Sequence, residues 1–204
     1  MHRSLPHKVL AIVDPTGDLA FAEVEGEQLA RLFGEPHTQI LLNDEATAAA
    51  LKKRRASYLH FSCHGFYRWD DPLQSGLILA RGEPFTLAQV LGELKLDTCR
   101  LVALSACETG ITEVRQSPDE YLGLPAGFLQ AGAPAVLSTL WPVNDLSTML
   151  LIERFYQRHL QAGEDFPSAL RHAQRWLRSV TAGEPTQRPF AHPYYWAAFT
   201  FAGA

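Results

Sequence analysis

The chain has 204 residues and a formal net charge of −4, with 47% hydrophobic and 20% charged residues. That length suits one domain with a single sizeable core, and the composition is that of an ordinary globular protein. The mild acidity gives no electrostatic case for nucleic acid, and no run of about 18 apolar residues is present to cross a membrane. Three cysteines, Cys63, Cys99 and Cys107, are too few and too odd in number for a disulfide scaffold. They point to a reducing compartment, and a cytoplasmic location is expected. No CxxC pair or Cys/His ligand run suggests a metal, and no cofactor is expected.

Taken in order, residues 8–13, with an apolar run over 9–13, read as a first strand, closed by the turn Asp14-Pro15-Thr16-Gly17. It is too short for the core of a signal peptide. A helix over 19–33 follows, with Ala22, Gly26, Leu29, Ala30 and Phe33 on one face and Gly34 and Pro36 as its stop. A second strand covers 38–42. Asn43 or Asp44 then caps a short helix over 45–53, which places Lys52, Lys53, Arg54 and Arg55 at a helix C-terminus. The third strand is 58–63. Residues 66–73 are loop-like, and 75–80 reads as one arm of a hairpin at the sheet edge. Thr86 and Gln89 form a capping box that opens a helix with Leu87, Val90, Leu91 and Leu94 inward.

The stretch 101–107 is small or apolar apart from Ser105 and reads as a strand buried on both faces, in the middle of a parallel sheet. A polar loop over 111–120 precedes a helix with Tyr121, Leu124, Phe128 and Leu129 on one face, where Pro125 is tolerated only in the first turn. Next come a strand over 135–140, helices over 145–161 and 166–180, a Gly/Pro-containing connection over 181–193, and a last strand over 194–201. No boundary or repeat interrupts this alternation, so a single domain over 1–204 is expected. Its sheet should be mostly parallel and covered by helices on both faces.

Two of these strands end on chemistry. The third runs into His64-Gly65, and the fourth into Cys107 and Glu108. Reactive groups of α/β proteins belong at the carboxyl ends of central strands, where loops open a crevice. If the two strands are parallel neighbours, a thiol and an imidazole emerge at one edge, and the imidazole can activate the thiol. The backbone N–H groups of Gly65 and Cys107 are the candidate oxyanion donors. No third member of a triad is apparent, and a backbone carbonyl can orient the imidazole instead. On these two residues alone the other account stays open, a core cysteine beside a surface histidine.

The strings HFSCHG, LVALSACETG, GLPAGFLQAGAPAVLSTLWPVND, FYQRHLQAG and WAAFTFAG, with the opening DPTGDLAFAEVEGEQL, resemble the CHAT family of caspase-like cysteine peptidases. That family is related to caspases and separases and is often found beside tetratricopeptide repeats. The resemblance implies a caspase-like three-layer sandwich and a catalytic dyad of His64 and Cys107. It also implies endopeptidase activity on a protein or peptide substrate, in a prokaryotic stress, defence or cell-death pathway. A tetratricopeptide-repeat partner or region, and a homodimer formed through the edge near 194–201, are further implications. Two rival readings remain: a non-catalytic signalling or scaffolding module, and another thiol acyl-transfer enzyme.

For the substrate pocket, Glu108, Trp141 and Asp145 are the candidates, with Asp70 and Asp71 as further acidic residues. Asp145 could pair with a basic substrate side chain, or cap the helix it begins. Trp141 walls the pocket or anchors its loop. Cys63 should face away from the crevice into the core, because side chains alternate along a strand. His60, on the His64 side of that strand, is expected to be core, Cys99 a bystander, and His159, His172 and His192 surface residues.

Overall fold

The structure, a computed structural model, describes residues 7–105, 123–183 and 187–204. Its elements run β1 (Val9–Val13), α1 (Ala22–Phe33), β2 (Thr38–Leu42), α2 (Ala48–Lys52), β3 (Tyr58–Ser62), β4 (Gly65–Phe66), β5 (Gly76–Ile78), β6 (Pro84–Thr86) and α3 (Leu87–Glu93). They continue with β7 (Leu101–Ser105), α4 (Leu124–Gln130), β8 (Ala135–Thr139), α5 (Asp145–Ala162), α6 (Phe166–Ser179) and β9 (Phe199–Gly203). Six strands form one sheet in the order β2-β1-β3-β7-β8-β9, parallel except for β9.

Every residue of β1, β3, β7 and β8 is buried, as their near-continuous apolar sequences demand of strands covered on both faces. The pleat sorts their side chains. Leu10, Ile12, Leu59, Phe61, Cys63, Val102, Leu104 and Val136 join one core with Leu87 and Val90 of α3 and Phe128 of α4. Val9, Ala11, Val13, Tyr58, Leu101, Ala103 and Leu137 join a second core with Leu29 of α1, Phe155 of α5 and Leu170 and Leu177 of α6. The result is a helix–sheet–helix sandwich.

Several boundaries differ from the sequence reading for local reasons. α1 begins at Ala22 rather than near 19, because the carboxylate of Asp14 takes up the backbone N–H groups of Asp18 and Leu19 in the preceding turn. α2 is capped by Thr47, whose hydroxyl accepts from Ala50 N–H at 3.1 Å, while Asn43 and Asp44 lie in a separate short turn. Residues 76–78 do not extend the main sheet. They are the central strand of a second, antiparallel sheet in the order β4-β5-β6. The last strand starts at Phe199, not 194, because Pro193–Tyr195 forms a 3-10 turn. The capping box of Thr86 and Gln89 is present, and Pro125 occupies the first turn of α4. The expected loop over 111–120 lies outside the described residues.

His159 is not a surface residue. Its Nε2 pairs with Tyr58 Oη at 2.8 Å, its Nδ1 with the Glu164 carbonyl at 2.7 Å, and His7 Nδ1 reaches the same tyrosine at 2.8 Å. Burial holds both imidazoles below the ordinary histidine range, and the Arg100 guanidinium adds to the effect on each. A glutamate backbone carbonyl and Asp165 oppose it at His159 without reversing it. The unfolded chain therefore takes up protons near pH 6.5 that the folded chain takes up only at lower pH. This contribution to stability is complete above about pH 6.5 and is lost as the pH falls. The urea midpoint is expected to be lower at about pH 5.5 than at about pH 7.5, with a smaller difference in His159→Gln.

Candidate active site

The site is assembled where β1, β3 and β7 end together. Strand register pairs Val13 with Ser62 and Ser62 with Ser105, so the three carboxyl ends are level. Asp14 N–H donates to the Ser62 carbonyl at 2.9 Å and ties the first two ends together. Asp14 itself has φ +42°, a left-handed conformation that aspartate tolerates better than most residues. That geometry points its carboxylate at Asp18 N–H (3.0 Å) and Leu19 N–H (3.2 Å) and closes the loop 14–19 over the end of β3.

The closed loop presents Asp18 to His64. The His64 Nε2–H donates to Asp18 Oδ1 at 3.0 Å, and the Thr16 hydroxyl donates to the same oxygen at 2.5 Å. The Thr16 hydrogen bond first, and then the one from His64, hold the Asp18 carboxyl below the ordinary aspartate range, so it is ionised at neutral pH. An imidazole that donates through Nε2 keeps Nδ1 as its basic atom. The sequence reading found no third member beside His64 and missed Asp18. The signal was the DPTGD turn at the end of β1, but its relevance depends on β1 lying next to β3.

Beside His64 opens a crevice of about 80 Å³. Leu19, Phe21, Ala22 and Val143 form its apolar wall, and Glu25, Ser62, Ser105 and Thr148 give it a polar floor, with Asp145 also lining it. Glu25 is only 3% exposed. Its Oε1 accepts from His60 Nε2 at 2.6 Å, and its Oε2 accepts from the Ser105 hydroxyl at 3.2 Å. His60 Nδ1 in turn faces Tyr156 Oη at 3.4 Å. His60 is thus the core residue the sequence suggested, with an acidic partner that it did not.

Of the sequence candidates, His64, Gly65 and Asp145 are brought to this end of the sheet, Gly65 as the first residue of β4. Cys107 and Glu108 lie outside the described residues. Asp145 does not cap α5. Asn144 does, its side chain accepting from Ser147 N–H at 3.1 Å, which leaves the Asp145 carboxylate for the crevice. The Trp141 indole N–H donates to the Tyr194 carbonyl at 3.1 Å and anchors its loop, and Trp141 is not among the described residues that line the crevice. Asp70 is engaged by Arg68 at 2.7 Å, which holds its carboxyl at about 2. Cys63 is a core residue, and burial pushes the Cys99 thiol up to about 11. Among the described residues no cluster of His, Cys, Asp and Glu could hold a metal ion, and no helix is long and apolar enough to cross a membrane.

A mostly parallel six-stranded sheet between helix layers, with a histidine at the end of its third strand, is a caspase-like architecture. Solved structures agree on the fold. Gingipain R, an Arg-specific cysteine proteinase, superposes with a TM-score of 0.55 at 12% identity over 76% of this chain and 37% of that one. The Saccharomyces cerevisiae separase–securin complex gives 0.60 at 15% identity over 98% of this chain and 12% of that one. The chain belongs to the CHAT domain family, which it matches over residues 5–204. Among curated proteins, Tetratricopeptide repeat protein 28 of Homo sapiens is 34% identical over 119 residues, 58% of this chain. Separin of Emericella nidulans is 31% identical over 139 residues, 66% of this chain. The chain spans only 4% and 6% of those two relatives.

Proposed function

We propose that this chain is a single-domain cysteine endopeptidase in which His64 and Cys107 form the catalytic dyad and Asp18 orients the histidine. The observation that carries the reading is the register of β3 against β7. Ser62 pairs with Ser105, His64 follows two residues after the first, and Cys107 follows two residues after the second. Two residues on from a paired position in each sequence, strand alternation would put His64 and Cys107 on the same side of neighbouring strand ends. Membership of the CHAT family, the sequence similarity to separin and the fold shared with gingipain R support the same assignment.

In this mechanism the Cys107 thiolate attacks the scissile carbonyl, and the oxyanion is met by the N–H groups of Gly65 and Cys107. The C–N bond breaks, and the departing amine takes its proton from His64. His64 then removes a proton from water, which attacks the thioester, releases the acid product and regenerates the thiol. A substrate strand would add to β4, an edge strand of the second sheet directly after His64. Glu108 and Trp141 complete the proposed substrate-binding set. β9, at the edge of the main sheet, is the proposed surface for pairing with a second copy. The name of the repeat-containing relative favours a tetratricopeptide-repeat partner or region. A cytoplasmic role in a prokaryotic stress, defence or cell-death pathway completes the proposal.

The test is cleavage of a mixed peptide library by the protein and by Cys107→Ala, together with labelling by a thiol-reactive peptide probe. Cleavage that disappears in the variant, or rapid labelling of Cys107 at neutral pH that His64→Ala slows, supports the reading. Neither cleavage nor rapid labelling overturns it in favour of a non-catalytic module.

A further inference from the structure

At the opposite end of the sheet from His64, a second cavity of about 190 Å³ opens where the paired strands β1 and β3 begin. Its floor is apolar. Leu10 of β1, Leu59 of β3, Leu51 of α2, Leu94 and Cys99 line it, and each is at most 8% exposed. The Cys99 thiol donates to the Leu101 carbonyl at 3.2 Å, and burial pushes it up to about 11. It therefore stays neutral at physiological pH and extends the apolar surface.

The rim is basic. Of the described charged residues that line the cavity, Lys52, Arg54, Arg55 and Lys95 are cationic and Glu93 is acidic, in a chain whose formal net charge is −4. Cations after a helix offset its exposed carbonyls, and Arg54 does so, donating through Nη1 to the Ala50 carbonyl at 2.8 Å. Lys52 pairs with Glu93 and neutralises the acid on the rim. Arg55 and Lys95 are exposed and have no hydrogen-bond or ion-pair partner among the described residues. Helix capping therefore accounts for part of the basic run and leaves these two charges unmatched.

Unmatched cations above a recessed apolar floor fit a ligand with both characters. A bare anion would leave the floor wet, and a bare hydrocarbon would leave the cations unmet. The apolar surface is sunk below the rim, so a slim chain reaches it and a flat protein surface does not. We infer that this cavity binds an amphipathic anion, an aliphatic chain that covers Leu10, Leu51 and Leu59 while its carboxylate or phosphate head is met by Arg55 and Lys95. The planar guanidinium of Arg55 can bridge two oxygens of either head, and Lys95 adds a point charge. The site is separate from the endopeptidase reading, because none of its lining residues lines the crevice beside His64.

The experiment titrates the protein with sodium octanoate and follows leucine and valine methyl resonances by NMR. Octanoate is expected to shift Leu51, Leu59 and Leu94 and to leave Leu19 and Val143, of the His64 crevice, unmoved. Three comparators separate the contributions. 1-Octanol keeps the chain and loses the charge, octylammonium reverses the charge, and butyrate keeps the head and drops four methylenes. Each is expected to bind at least about tenfold more weakly than octanoate. Octyl phosphate distinguishes the two heads: tighter binding than octanoate assigns a phosphate, and weaker binding a carboxylate.

Arg55→Gln and Lys95→Gln alter exposed side chains, so the melting temperature should be unchanged in the double variant. That variant should bind octanoate no more tightly than octanol while keeping its affinity for octanol. Octanoate binding that survives both changes, or equal binding of octanoate and octylammonium, overturns the proposal. Shifts confined to residues outside this cavity do the same. The peptide acetyl-Asp-Glu-Leu-Asp-Glu-amide shifting the same methyls where octanoate does not would overturn it in favour of an acidic partner segment.

Discussion

Replacing His64 by alanine is expected to lower kcat/KM for a cleavable peptide by about three orders of magnitude or more, with the melting temperature unchanged. The side chain is half-exposed, and its one described partner is Asp18, itself on the surface, so little folding energy depends on it. On the proposed endopeptidase mechanism, what is lost is the proton transfer that makes the thiolate and protonates the leaving amine. Asp18→Asn should act on the same step more gently. The amide oxygen can still accept from Nε2–H and keep the ring oriented, but the negative charge that supports an imidazolium is gone. A fall in kcat of about ten- to a hundredfold with KM little changed is expected, and Asp18→Glu should recover part of it.

The pH profile separates orientation from simple packing. The Asp18 carboxyl is held below its ordinary value by Thr16 and His64, so its support is complete above the usual aspartate range and is lost only as the pH falls below it. Thr16→Val, which removes the larger cause, should shift that loss to higher pH. A variant whose profile is unmoved would assign Asp18 to loop structure alone.

The strands were readable because their sequences admit one environment. VLAIV is wholly apolar and LVALS and AVLST carry only small hydroxyls, while YLHFS adds aromatic and apolar bulk on both faces, and each proved buried throughout. The end of the chain was misread for a related reason. Tyr194, Tyr195 and Trp196 look like strand residues, but His192 and Pro193 start a tight turn, and the Trp196 indole is fixed to the Ala191 carbonyl. His64 was visible because a histidine before glycine at a strand end is a local pattern. Asp18 was not, because its partner lies across a strand pairing that only the β1-β3 neighbourhood reveals. Glu25 was hidden by its chemistry. It falls three residues after Ala22 and four before Leu29, squarely on the apolar stripe of α1, but a glutamate counts as surface by default. Its partner His60 is likewise on the inward phase of β3. A titratable residue in phase with each of two facing apolar patterns is the signal that would have found the pair.

That pair gives the largest expected effect on stability. His60→Ala should destabilise the fold by ~3–5 kcal/mol, read from the urea midpoint, because it strips a buried carboxylate of its shortest hydrogen bond where water is excluded. The loss should not be repeated when both partners are replaced. Glu25→Leu combined with His60→Leu exchanges a buried polar pair for apolar volume, and such exchanges are often neutral or stabilising. Set beside Glu25→Leu and His60→Leu alone, the double variant should recover most of what the single changes lose, which is a large coupling between the two sites. If it does, the core between α1 and β3 does not need a carboxylate in order to fold. A double variant that fails to fold would instead place the value of Glu25 and His60 in the core itself.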